Sequence, residues 1–170
     1  MIGNYRELFA LVRKRPLMYL LRADFASVVA FVEGCDHGNA RSLLTGFREW
    51  LVTRVGCGSN LVWWSLVLRL TEPEGEKSPR DMDHETDARA TETLFQCLDD
   101  FLALREEHDG LRRIYAAHQA WLDARDLNHC LASGAPACPV VDWPKPQAAG
   151  RHGLPSYGPA ATTRNGHERA

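Results

Sequence analysis

Two short stretches carry the side-chain types that acid–base chemistry needs. In "FVEGCDHGN", Phe31 to Asn39, a carboxylate, a thiol, a second carboxylate and an imidazole crowd together as Glu33, Cys35, Asp36 and His37. In "EEHDG" His108 adjoins Asp109. A carboxylate next to an imidazole can fix its tautomer and share a proton with it. A hydrolase-like site assembled from Glu33, His37, His108 and Asp109 is therefore one expectation. No serine sits in G-x-S-x-G, and His118 falls on an apolar helical stripe, where it is expected to pack.

The five cysteines are Cys35, Cys57, Cys97, Cys130 and Cys138. Their wide, irregular spacing suits reduced thiols better than a disulfide framework. Cys35-Asp36-His37 with Cys57, or His129-Cys130 with Cys138, supply metal-ligand types, but neither set contains a C-x-x-C pair. The expectation is no metal and no cofactor, with Cys35 and Cys97 acting as small buried hydrophobes.

Charge is the other chemical signal. The net charge is −2, yet thirteen carboxylates and four cations fall between Glu72 and Asp109, against nine cations and five carboxylates up to Thr71. Such segregation suits electrostatic recognition. Glu72, Glu74, Glu76, Asp81, Asp83 and Glu85 are the candidate contacts for a basic protein partner. A basic N-terminal cluster (Arg6, Arg13, Lys14, Arg15, Arg22) is set within a chain of negative net charge that has no recognition motif, so nucleic-acid binding is not expected.

"RKRPLMYLL", Arg13 to Leu21, resembles the "RKRPGMYIG" segment of type II topoisomerase ATPase subunits, the GHKL family. On that resemblance Glu33 stands near the water-activating Glu and Asp36 near an acidic neighbour. However, His37 occupies the magnesium-binding Asn position, and Leu17 and Leu21 replace both glycines. The D-x-G-x-G motif and glycine-rich lid that would approach phosphates are missing. Pro16 then reads as a helix stop, with Met18, Tyr19 and Leu20 expected to pack on the core as a connector. From Tyr5 to Leu122 the order "RPLMYL", "FREWL", "NLVWW" also looks like small actinobacterial proteins found among immunity-like factors of polymorphic toxin systems. That resemblance assigns no catalytic residue.

The elements that must position these groups are helical. Asn4 is an expected N-cap for a first helix with Tyr5, Leu8, Phe9, Leu11 and Val12 as its stripe. Asp24 caps a second, ending at Gly34. A third is expected from near Asn39 to Gly56, and "NLVWWSLVLRL" as a fourth, capped by Ser59 or Asn60, with Trp63 and Trp64 buried. A long helix from Thr86 to Glu107 has Ala90, Leu94, Cys97, Leu98, Phe101, Leu102 and Leu104 on its inner face. Asp109-Gly110 breaks it before a last helix carrying Ile114, Tyr115, Trp121 and Leu122.

The expected fold is all-α, a bundle of five or six helices over residues 1–126. The Pro- and Gly-rich residues 127–170 lack any period and are expected to form a disordered tail, with "CPVVDWP" as a potential docking patch. No apolar run reaches the roughly 18 residues of a membrane span. These readings combine into a non-catalytic cytoplasmic protein-binding module, immunity-like in character, with no membrane partner.

Overall fold

A computed structural model describes residues 4–73 and 82–131, with side chains to residue 125. Among the described residues six α-helices form a bundle: α1 (Tyr5–Lys14), α2 (Phe25–Gly38), α3 (Phe47–Val55), α4 (Trp63–Thr71), α5 (His84–Glu106) and α6 (Gly110–Leu131). The described residues contain no strand. None of their helices is long and apolar enough to cross a membrane. Of the expected tail, residues 132–170, "CPVVDWP" and Cys138 included, lie outside the described residues, while α6 itself runs on past Asp126.

The starts of three helices follow from single side chains. Asn4 accepts the amides of Arg6 and Glu7 at 3.0 and 3.3 Å. Asp24 accepts that of Ser27, and Asp83 that of Thr86, each at 2.8 Å. Each satisfies an amide that the helix's own carbonyls cannot reach. Pro16 stops α1 as expected, and a single 3-10 turn, Pro16–Met18, follows it. At the other break, a Cβ on Gly110 would lie 2.0 Å from the Leu104 carbonyl oxygen, so only glycine allows α6 to leave α5 so abruptly.

Between α2 and α3 the chain departs from expectation. α2 does not end at Gly34 but continues one further turn to Gly38. The turn is retained because Asp36 is buried and its Oδ1 accepts the Leu44 amide at 2.9 Å. Residues 39–46 are therefore turn and not the start of a helix, with Ala40 and Arg41 at positive φ (53° and 58°) and Gly46 at 87°. The Arg105 guanidinium donates to the Leu43 carbonyl and ties this loop to α5. α4 likewise begins later than Ser59 or Asn60 could cap it, after Val62 in extended backbone.

α5 is the hub. It packs against α1, α2, α4 and α6, while α3 packs against α4 and α6. All seven residues expected on its inner face are buried. At the centre, Phe47 lies 4.9 Å from Phe101 and 5.9 Å from Trp50, ring centroid to centroid. Such aromatic contacts add about 0.5–1.5 kcal/mol each beyond area burial. Trp63 and Trp64 are half-buried rather than buried, because α4 lies at the side of the bundle and adjacent residues point about 100° apart. Leu11 and Tyr115 face outward, off the stripes assigned to them.

Candidate functional site

The acid–base quartet is not one site. Glu33 and His37 share α2, whereas His108 and Asp109 sit at the α5–α6 junction. Glu33 Oε1 accepts the Trp63 indole N–H at 2.5 Å, fastening α2 to α4. His37 Nε2 lies 3.3 Å from an Arg41 guanidinium nitrogen. Asp109 pairs with Arg112 at 3.5 Å and approaches Arg113 at 4.0 Å, while His108 is exposed. Glu33 tethers two helices and Asp109 pairs with its neighbours; among the described residues no hydrogen bond or ion pair joins the two halves of the quartet.

The thiols sit apart as well. Cys97 is buried in the core beside Arg54 and Asp100, and burial pushes its pKa up to about 12. Burial also raises the pKa of the Cys35 thiol, which is only half-buried. Cys57 Sγ lies 3.5 Å from Arg69 Nη1. Among the described residues no three His, Cys, Asp or Glu side chains come together as metal ligands.

The acidic segment meets cations of its own chain. Arg6 of α1 contacts Asp99 at 2.9 Å and Glu106 at 3.2 Å, Arg13 pairs with Glu92, and Arg54 of α3 contacts Asp100 at 3.1 Å. Desolvation lowers the Arg6 pKa, but hydrogen bonding and attraction to Asp99 and Glu106 outweigh it and leave the pKa raised. The basic first stretch and the acidic middle of the sequence therefore face each other across α1, α3 and α5. Of the six candidate contacts, Glu72 accepts the Thr86 hydroxyl at 3.2 Å and pairs with Arg89, and Asp83 caps α5. Glu85 is exposed in the first turn of α5, beside an open depression that Leu70, Thr71, Ala88 and Glu92 also line. Glu74, Glu76 and Asp81 lie outside the described residues.

The surface that sequence reasoning missed is "RKRPLMYLL" itself. Met18 and Tyr19 do not pack on the core. Leu17 is 72% and Met18 69% exposed, Leu21 is fully exposed, and only Leu20 turns inward. The reason is geometric, because a 3-10 turn brings one side chain in three to the same side, so consecutive apolar residues cannot all face one core. Lys14, Arg15 and Arg22 flank the segment and are exposed. Leu11, one turn before the cap residue Arg15, is exposed as well. Behind it opens a cavity of about 170 Å³ whose walls include Pro16, Ala23, Val28, Ala88 and Phe95. The legible signal was a proline followed by five apolar residues (Leu17 to Leu21) in a connector too short to form a periodic helix.

Compared with known proteins, the chain matches no family model, no curated protein and no solved structure.

Proposed function

We propose that this chain is a non-catalytic protein-binding domain that docks its partner on the α1–α2 connection. The observation that carries the reading is that four of five consecutive apolar residues, Leu17, Met18, Tyr19 and Leu21, are exposed between Pro16 and Ala23, which line a pocket. Scattered surface leucines need no explanation, but exposed apolar residues concentrated in one short connector and flanked by cations are what protein interfaces use. Burying each such side chain contributes about 1.5–3 kcal/mol. The structural duties of Glu33 and Asp109 favour binding over a hydrolytic role. An immunity-like role, neutralising a partner by covering it, fits this reading.

A second reading keeps the acidic segment as the contact, with a basic protein partner. Exposed Glu85 at the edge of the open α4–α5 depression favours it. Photocrosslinking separates the two in the source cell, using the full chain with benzoylphenylalanine at position 18, 85 or 112. An adduct from position 18 that Leu21→Asp abolishes, with none from 112, is the expected result. Adducts from 85 alone transfer the contact to the acidic segment. No adduct from 18 or 85 overturns both.

A further inference from the structure

We infer that the partner's docking element is an acidic peptide segment that places one apolar side chain in the cavity behind Pro16. The inference rests on the binding reading above and adds the partner's chemistry to it.

Three features of the surface select that chemistry. The first is charge. Lys14 and Arg15 are exposed, and among the described residues neither has a carboxylate partner. Arg22 is also exposed, although it contacts Asp24 at 2.7 Å. Complementary carboxylates would thus meet cations on both sides of the apolar run, which speeds encounter and fixes orientation. The second is shape. The cavity of about 170 Å³ lies between α1, α2 and α5, and both ends of the exposed segment, Pro16 and Ala23, form part of its wall. A pocket next to a run of exposed apolar residues accepts one anchoring side chain, the arrangement in which a few buried contacts dominate affinity.

The third feature separates a peptide from an anionic bilayer. Apolar residues among cations also suit lipid headgroups. Here Glu92 stands in the cavity wall, paired with Arg13, and Asp24 stands beside Arg22. A plane of anionic headgroups would press on these carboxylates as well as on the cations. A peptide can set its own carboxylates against Lys14 and Arg15 and leave Asp24 and Glu92 facing apolar groups.

The test pans a random-peptide phage library on the immobilised full chain. Synthetic copies of the enriched peptides are then titrated by fluorescence anisotropy. The expected outcome is enrichment of peptides rich in Asp and Glu around an aromatic or branched apolar residue. Their affinity should fall at least about tenfold with Lys14→Glu/Arg15→Glu, with Leu17→Asp, and with the cavity-filling Ala88→Met. Each variant changes an exposed residue, and unchanged circular dichroism verifies its fold. Peptides that depend on Leu17 but carry no acidic bias overturn the inference and leave the binding reading standing. Binding of phosphatidylglycerol vesicles in place of any peptide overturns it in favour of a membrane surface. Self-association lost with Leu17→Asp overturns it in favour of a second copy. Indifference of every ligand to Leu17→Asp overturns the inference and the binding reading together.

Discussion

Both carboxylate oxygens of Asp87, on α5, lie within hydrogen-bonding reach of the backbone N–H of Phe25, at 3.1 and 3.3 Å, so α5 caps the first amide of α2 across 62 residues of sequence. Asp24 satisfies the Ser27 amide from within the same chain turn, so the start of α2 is held by two carboxylates from different elements. Hydrogen bonding to Ser27 is the main reason that the Asp24 carboxyl titrates below its ordinary value. Asp87→Ala should destabilise the domain by about 1–2 kcal/mol in urea unfolding. A change below about 0.3 kcal/mol would show that Asp24 alone is enough.

Glu33 makes the same kind of link between α2 and α4. Removing its carboxylate leaves the Trp63 indole N–H without its acceptor, a loss of about 1.5–3 kcal/mol for a bond to a charged group. Glu33→Gln keeps an acceptor and should cost less than Glu33→Ala. Tryptophan emission should shift in the alanine variant. Equal stabilities for the two variants would mean that the contact contributes nothing.

The inner face of α5 predicts a strong contrast. Phe101 is fully buried against Phe47 and Trp50, so Phe101→Ala should cost about 3–5 kcal/mol. Glu106, paired with Arg6 at the surface, should cost about 0–1 kcal/mol when changed to alanine. Denaturant midpoints of the two variants decide it, and comparable losses would contradict the packing.

Cys97 gives a pH dependence with a definite sign. Its ordinary value is 9.0 and burial raises it to about 12 in the folded domain. The folded state therefore holds the proton more tightly than the unfolded chain. The resulting stability is fully present below the ordinary value and is lost as pH climbs from there towards the folded value. Within that window the wild type should lose up to about 1.4 kcal/mol per pH unit relative to Cys97→Ala. Parallel curves for the two proteins would remove Cys97 as the cause. At neutral pH the same burial should keep Cys97 unreactive to thiol reagents until the domain unfolds.

What was legible in the sequence was what local rules govern. Asn4 and Asp24 read as caps because capping is a contact between near neighbours. The buried stripe of α5 read correctly because period 3.6 is written along one helix. The end of α2 did not, since Gly34 is an ordinary stop signal and the contact from Asp36 to Leu44, eight residues on, helps hold the helix past it. Met18 and Tyr19 were assigned to the core on their apolar character alone, and exposure depends on which way a turn faces. The acidic segment showed its charge but not its partners, because Arg6 and Arg13 lie between 79 and 100 residues from the carboxylates they meet. The candidate site depends on which connector side chains face solvent, and no local rule in the sequence sets that.

The pairing of α1 with α5 has a consequence for synthesis. A ribosome releases α1 before the other described helices, and α5, which it packs against, follows only after α2, α3 and α4 have been made. Until Glu92, Asp99 and Glu106 emerge, Phe9 can meet Phe31 of α2 but not α5, and Arg6 and Arg13 lack their counter-charges. Docking of α1 is thus a late, long-range event in the life of the nascent chain, and closing so large a loop slows it. During that interval the apolar stripe and the cations of α1 are open to any acidic surface nearby, which makes this helix a point at which the domain is exposed to misassembly.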